Sequence, residues 1–126
     1  MTEMKRQSRR PTRARSRTIS HAPGRMNGLE AEYATLLDAR VERGELFGYQ
    51  FEAIKLRLAD ETWYAPDFFV LLADGQIEFH EVKGFWRDDA RVKFKVAAER
   101  FAWARFVAVT KRPSKAGGGW NEERMK

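Results

Sequence analysis

The sequence predicts an α/β domain in which a mixed β-sheet is flanked by helices. Three observations support this prediction. A segment near the N-terminus repeats apolar residues at helical spacing, four later segments have the apolar patterns of strands, and a second helix signal lies between two of those strands. The chain has 126 residues, which suffices for one compact domain with tails.

The first helix is predicted over residues 28–43. Asn27 is a favourable N-cap, and Glu30 lies three residues later, as in a capping box. Gly44 provides a natural end to the helix. The apolar side chains that recur at helical spacing are Leu29, Tyr33, Leu36, Leu37 and Val41.

Three strands are predicted to follow the first helix. Residues 49–58 alternate between polar and apolar, with a change of phase near Ala53 and Ile54 that indicates a β-bulge. Residues 63–72 form a second, more apolar strand, and residues 77–82 form a third.

The loop between the second and third strands decides which face of the sheet Asp67 occupies. A two-residue turn would pair Asp67 with Val82 and place Asp67 on the face of the sheet opposite to Glu81. A three-residue loop over residues 73–75 instead pairs Asp67 with Glu81 on one face. That loop favours a left-handed residue at its last position, where Gly75 stands. We therefore predict the three-residue loop, or a β-bulge with an equivalent effect on the register.

The chain breaks at Gly84, and a second helix is predicted over residues 88–102. Asp88 and Asp89 can cap its N-terminus. A strand is the competing interpretation of this segment, because apolar residues also alternate at Val92, Phe94 and Val96. A last strand is predicted over residues 106–110.

These elements predict three parts along the chain. Residues 1–25 form a basic arm that we expect to be disordered, since it has little to bury. Residues 26–111 form the folded domain. Residues 112–126 contain three consecutive glycines and are predicted to form a flexible C-terminal tail.

The composition excludes several kinds of site. The chain has no cysteine, which excludes thiol nucleophiles, disulfides and zinc ribbons and fits a reducing, cytoplasmic compartment. There is no run of about 18 apolar residues, so we expect no membrane-spanning helix and no membrane partner.

Charge follows a basic, acidic, basic order along the chain. Residues 1–25 carry a net charge of +7, residues 26–82 carry −8, and residues 83–115 carry +7, within a total of +6. This asymmetry predicts a nucleic-acid partner. The arginines of the arm that we expect to contact phosphates include Arg13, Arg15 and Arg17.

Two acids and a lysine form the candidate catalytic group. Glu81 and Lys83 are two residues apart in a strand and face the same way, and the predicted hairpin places Asp67 beside them. Two carboxylates this close repel each other unless a cation lies between them. Hard oxygen ligands suit Mg²⁺ or Mn²⁺, while Lys83 can stabilise a metal-activated hydroxide and the charge developing on a phosphate. The alternative is an ion-pair network without catalysis.

Four motifs around these residues resemble the PD-(D/E)XK nuclease signature. They are residues 64–68 (YAPDF), residues 81–86 (EVKGFW), residues 88–91 (DDAR) and, upstream, residues 28–30 (GLE). Over residues 27–110 the pattern is more narrowly similar to the phage endonuclease I family of Holliday-junction resolvases, and it also resembles a related group of uncharacterised phage proteins.

The resemblance implies a restriction-endonuclease-like core that uses a divalent metal to hydrolyse phosphodiester bonds in branched DNA. It implies Glu30, Asp67, Glu81 and Lys83 as catalytic residues, and Asp67, Glu81 and Val82 as the metal site. It also implies an intertwined homodimer in which Glu30 serves the partner's Asp67. A phage-encoded protein of this kind would act in the cytoplasm of a bacterial host cell.

Two further residues near the motifs have competing interpretations. The capping box alone explains Glu30, but Glu30 lies nearer the apolar side of its helix than Glu32 does, which keeps it as a candidate catalytic acid. His80 precedes Glu81 and faces away from it, so we expect His80 to pack rather than to catalyse.

Nucleic-acid contacts are predicted just after the catalytic strand. The candidates are Trp86, Arg87, Arg91, Lys93 and Lys95. Trp86 either packs or contacts a sugar–phosphate or an unstacked base. The basic residues of the helix either contact phosphates or form an ordinary solvated face.

The function expected from the sequence is that of a metal-dependent DNA endonuclease. The alternatives are a nuclease without junction preference, a catalytically inactive nuclease-fold module that binds DNA, and an RNA-binding protein driven by the arm alone.

Overall fold

The described part of the chain folds as an α/β domain with a mixed five-stranded sheet, a separate two-stranded sheet and two α-helices. The computed structural model describes residues 25–125, so the predicted arm and its Arg13, Arg15 and Arg17 lie outside the described residues. Its elements are α1 (Gly28–Glu42), β1 (Leu46–Phe51), β2 (Leu56–Ala59), β3 (Thr62–Tyr64), β4 (Phe68–Leu72), β5 (Ile77–Lys83), α2 (Asp88–Arg100), β6 (Arg105–Lys111) and β7 (Trp120–Arg124). No helix within residues 25–125 is long and apolar enough to cross a membrane.

The capping box predicted at the start of α1 is present. The Glu30 N–H donates to Asn27 Oδ1 at 2.8 Å, and the Asn27 N–H donates to Glu30 Oε1 at 2.9 Å. These reciprocal bonds satisfy two backbone donors that a helix N-terminus otherwise leaves free. The helix then buries one face, which carries Tyr33, Ala34 and Leu37.

The five-stranded sheet has the order β1-β4-β5-β6-β7. β5 and β6 are parallel because α2 connects them as a crossover, and the other neighbouring pairs are antiparallel. Alternation along β5 directs Val82 to a core shared with α1, and Phe79 to a core shared with α2 and β2. The two helices therefore cover opposite faces of the sheet, which confirms the mixed sheet flanked by helices.

The hairpin between β4 and β5 has the predicted register. Phe68 lies opposite His80, and Leu72 and Gln76 close a loop over residues 73–75 with a hydrogen bond of 2.9 Å. Gly75 adopts the left-handed conformation, with φ 92°. Extended by one residue, this register brings Asp67 opposite Glu81.

Two of the predicted strands are each divided in the structure. The strand predicted over residues 49–58 consists of β1 and β2, which belong to different sheets, and no bulge lies at residues 53–54. The chain turns out of the first sheet at Glu52, whose φ is 49°. The strand predicted over residues 63–72 is likewise interrupted at Pro66, because proline has no N–H for the ladder.

The C-terminal region also differs from the prediction. The helix interpretation of α2 is confirmed against the strand alternative, since Phe94 and Ala97 are buried while Val92 is exposed. However, residues 112–126 are not a simple tail, because β7 pairs with β6 as the last strand of the sheet. A short 3₁₀ turn and three glycines with positive φ, residues 117–119, reverse the chain between the two strands.

Candidate active site

The carboxylates of Asp67 and Glu81 lie side by side in the interior. Each residue is only 6% exposed. The Asp67 N–H donates to Glu81 Oε1 at 3.1 Å, and the Val82 N–H donates to Asp67 Oδ2 at 2.9 Å. The hairpin register and these bonds together bring the two acids to one side of the sheet, as predicted.

The third predicted catalytic residue, Lys83, joins this pair from the surface. Its Nζ lies 3.3 Å from Glu81 Oε2, and its side chain is 37% exposed whereas that of Glu81 is 8% exposed. The other Glu81 oxygen accepts a hydrogen bond of 2.6 Å from the hydroxyl of Tyr64. The ammonium group therefore reaches a buried acid while it stays open to solvent.

Burial and mutual repulsion change the acidity of the pair. Burial and the charge of Glu81 raise the pKa of Asp67 to about 8, although the Val82 N–H and Lys83 act in the opposite direction. Burial also raises the pKa of Glu81 above its ordinary value, against the hydrogen bond from Tyr64 and the charge of Lys83. When both carboxylates are ionised, the pair thus carries more negative charge than its surroundings neutralise.

The chemistry of this donor set fits a hard divalent cation. Asp67 and Glu81 offer carboxylate oxygens, and Val82 could offer only its main-chain carbonyl. Within residues 25–125 no group of three or more His, Asp or Glu side chains is arranged to hold a metal. Mg²⁺ typically binds through one or two carboxylates and keeps several waters, so Asp67 and Glu81 are the residues that could hold such an ion.

Glu30 lies near the pair but does not bond to it. Its charge contributes to the raised pKa of Asp67, while its Oε1 is occupied in the capping box. The start of α1 adjoins the end of β5, since a Cβ built at Gly84 would lie 3.8 Å from Leu29 Cδ2. Glu30 is half-buried, as its helix position predicted, whereas Glu32 is exposed and pairs with Lys111.

Glu81 and Lys83 line a cleft of about 240 Å³, and Asp67 lies behind Glu81 without lining it. The side chains that line it are Tyr64, Glu81, Lys83, Trp86, Asp89, Ala90 and Lys93. Two of the predicted nucleic-acid contacts, Trp86 and Lys93, therefore share the cleft with the candidate catalytic residues. Arg87 and Lys95 are exposed but do not line it.

Trp86 both packs against the core and lines the cleft. Its ring centroid lies 5.4 Å from that of Phe94 and 5.7 Å from the guanidinium carbon of Arg91. Its indole Nε1 is buried and has no hydrogen-bond partner in the part of the chain that the structure describes. Arg91 is in turn 3.3 Å from Glu123 on β7, so the strand that the sequence did not predict supports the wall of the cleft.

Sequence reasoning missed two residues of the cleft. Tyr64 lies two residues before Pro66 in the same motif, but nothing local shows that its hydroxyl reaches Glu81, 17 residues along the chain. Asp89 was interpreted only as a cap. The N-cap is instead Arg87, which makes no side-chain capping bond. Asp88 and Asp89 lie in the first turn, where their negative charge interacts favourably with the positive end of the helix dipole.

His80 lies on the opposite face of β5, as predicted. It is fully buried, shares a hydrogen bond of 2.7 Å with the hydroxyl of Tyr33, and contacts Glu78 at 2.8 Å. Arg105 extends this hydrogen-bonded network by donating to Glu78 at 3.0 Å. Burial acts to raise the pKa of Glu78, but the bonds from His80 and Arg105 lower it overall. This network satisfies buried polar groups beneath α1.

We expect this network to stabilise the fold without affecting the cleft. Tyr33→Phe leaves a ring nitrogen of His80 buried without its partner, so the free energy of unfolding should fall by about 1–3 kcal/mol. Urea unfolding measures the loss. Tyr49→Phe removes a half-buried hydroxyl that bonds to exposed Asp38 and should lower stability less. Equal losses in the two variants would contradict a special role for the buried network.

Comparison with protein-family models, with curated proteins and with solved structures finds no match for this chain. The likeness to the nuclease signature therefore rests on the motif residues. What the structure adds is that the acids and the lysine of those motifs lie together beside one cleft.

Proposed function

We propose that the protein is a metal-dependent endonuclease that hydrolyses phosphodiester bonds in DNA. The observation that carries the proposal is the buried pair of Asp67 and Glu81, with the Lys83 ammonium 3.3 Å from Glu81 at the edge of an open cleft. Two buried carboxylates with a single ammonium beside them favour a divalent cation, and a lysine in that position can stabilise negative charge on a phosphate.

The fold is compatible with this proposal. A mixed sheet with a helix on each face carries the acids on an antiparallel hairpin, and β5 ends at Lys83. We propose that this arrangement is a restriction-endonuclease-like core, in agreement with the motifs at residues 64–68 and 81–86.

Each residue has a distinct part in the proposed reaction. Asp67, Glu81 and the main chain of Val82 would hold Mg²⁺ or Mn²⁺, and the bound ion would supply Lewis acidity and a water of lowered pKa. Lys83 donates hydrogen bonds to the phosphate oxygens. Glu30 adds negative charge beside the pair.

The basic residues around the cleft would grip the DNA backbone. Lys93 lines the cleft, Arg91 is held over Trp86, and Arg87 and Lys95 are exposed nearby. The arm residues Arg13, Arg15 and Arg17 would add contacts that do not depend on base sequence. The preference for branched DNA and the homodimer are proposals that rest on the family resemblance.

Cleavage of a four-way junction and of linear duplex, each with Mg²⁺ or Mn²⁺, tests this function. We expect metal-dependent cleavage of the junction, and a loss of about 10²–10³-fold in Lys83→Ala, because the variant lacks the charge that stabilises the transition state. Lys115→Ala, which removes an exposed lysine outside the cleft, is the matched control. Absence of cleavage with both metals would reject the enzyme. Equal cleavage of duplex and junction would reject only the junction preference.

A DNA-binding module without nuclease activity is the second candidate. This candidate is favoured because both carboxylate oxygens of Glu81 already have partners within the protein. The partners are the Tyr64 hydroxyl, the Asp67 N–H and the Lys83 ammonium group. A calorimetric titration separates the two candidates, since a module of this kind would bind DNA tightly and bind no Mn²⁺.

A further inference from the structure

We propose that Tyr64 is a positioning residue that fixes the Glu81 carboxylate in the orientation in which it binds a divalent cation. This inference rests on the proposed nuclease function, and it gives a role to a residue that touches neither the phosphate nor the lysine. Its basis is the division of the hydrogen bonds between the two oxygens of Glu81.

The two Glu81 oxygens have different surroundings. Oε1 accepts the Tyr64 hydroxyl at 2.6 Å and the Asp67 N–H at 3.1 Å, so two donors from the protein hold it. Oε2 contacts only Lys83, at 3.3 Å, among the residues of the described range. The carboxylate is thus anchored through one oxygen, while the other faces the flexible end of an ammonium side chain.

Tyr64 is itself held rigidly enough for this role. Its ring packs edge-on against Phe94, with centroids 6.1 Å apart and an interplanar angle of 83°. Its strand, β3, pairs with β2, and Leu56 opposite Tyr64 is buried in the core beneath α2. A tyrosine hydroxyl is protonated at neutral pH, so it acts as a donor toward the Glu81 carboxylate.

The bond also links the two sheets. Tyr64 belongs to the two-stranded sheet, and Glu81 belongs to the five-stranded sheet. Without the hydroxyl, Oε1 would keep only the Asp67 N–H, and the carboxylate could rotate toward Lys83. Because groups that orient a metal ligand typically contribute 10–100-fold to metal affinity, we expect the loss of this hydroxyl to weaken cation binding about tenfold.

The alternative is that the hydroxyl of Tyr64 only satisfies a buried polar group. The chain contains a matched control for that case. Tyr49 also donates its hydroxyl to a carboxylate, that of Asp38 at 2.5 Å, but it lies on β1 and outside the cleft. Tyr64→Phe and Tyr49→Phe therefore delete the same group from the same kind of bond.

Calorimetric titration of the full chain with Mn²⁺, in the absence of DNA, tests the inference. We expect Tyr64→Phe to bind Mn²⁺ about tenfold more weakly than the wild type, and Tyr49→Phe to bind it within about twofold. Circular dichroism at the temperature of the titration ensures that the variants are compared at equal folded fraction. Unchanged affinity in Tyr64→Phe, or equal weakening in both variants, would overturn the inference.

Cleavage assays add a second readout. The junction-cleavage rate of Tyr64→Phe should be low at limiting Mn²⁺ and should approach that of the wild type as Mn²⁺ is raised, because the defect lies in cation binding. A deficit that persists at saturating Mn²⁺ would contradict the role. Failure of the proposed function itself is distinguishable from failure of this inference. In that case the wild type would bind no Mn²⁺, or would bind it equally well without the Asp67 carboxylate, and no Tyr64 variant is needed to see this.

Discussion

Asp67→Asn should abolish metal-dependent cleavage and at the same time make the metal-free protein more stable. The amide retains an oxygen that can accept the Val82 N–H, so the hairpin bond of 2.9 Å survives. It removes the negative charge that a cation requires, and we expect cleavage to fall by about 10³-fold or more.

The gain in stability follows from the raised pKa of Asp67. Its ordinary pKa is 3.8, and the folded value is about 8. Between these values the folded state binds a proton that the unfolded state has released, so each rise in pH favours unfolding. The asparagine variant has no such proton. Its advantage over the wild type should be near zero at about pH 4 and should grow by up to about 1.4 kcal/mol for each pH unit toward pH 8.

Urea unfolding in the presence of a chelator, at several pH values, measures this difference. Asp38→Asn is the control, because Asp38 is exposed and lies outside the pair. A variant that is less stable than the wild type at pH 8 would contradict the electrostatic account. A variant that still cleaves DNA would exclude Asp67 from the reaction.

Mn²⁺ should stabilise the wild-type protein far more at pH 8 than at pH 6. The cation binds the ionised pair, and below about pH 8 it must displace the proton of Asp67. We therefore expect the apparent affinity to rise by up to about tenfold for each pH unit in this range. At a concentration 100 times the dissociation constant, binding should add about 2.7 kcal/mol to the free energy of unfolding.

Thermal unfolding with and without Mn²⁺ at both pH values checks this expectation. The shift in Tm should disappear in Asp67→Asn and persist in Asp38→Asn. An equal shift at pH 6 and pH 8 would show that the ion binds elsewhere, since only a site that titrates in this range gives the difference.

The two predictions describe opposite consequences of one arrangement. Asp67 and Glu81 destabilise the metal-free fold because they are buried, adjacent and only partly compensated by Lys83. The same features would favour a divalent cation. This relation explains why a residue can be both costly to the fold and necessary for the proposed activity.

Much of the site could be predicted from the sequence because it depends on local geometry. The capping pattern predicted the start of α1. Strand alternation placed Glu81 and Lys83 on one face and His80 on the other, as observed. Loop length and the left-handed preference of Gly75 determined the register that brings Asp67 to Glu81.

Other features depended on contacts between distant segments. Apolar patterns could not show that β1 and β2 belong to different sheets, because the pattern of a strand does not identify its partner. β7 was missed for a related reason, since its polar sequence, WNEER, becomes a strand only by pairing with β6. The position of Arg91, held by Glu123, follows from that pairing.

The amino-acid sequence by itself determined the relative faces of Asp67, Glu81 and Lys83, since these follow from strand periodicity and turn chemistry within about 20 residues of chain. Only the tertiary structure decided how Glu81 is held and how acidic the pair is. The Tyr64 hydroxyl comes from the second sheet, and the raised pKa of Asp67 comes from its burial beside Glu81 in the folded chain. Desolvation depends on everything that surrounds a group, so it has no signature in the local sequence.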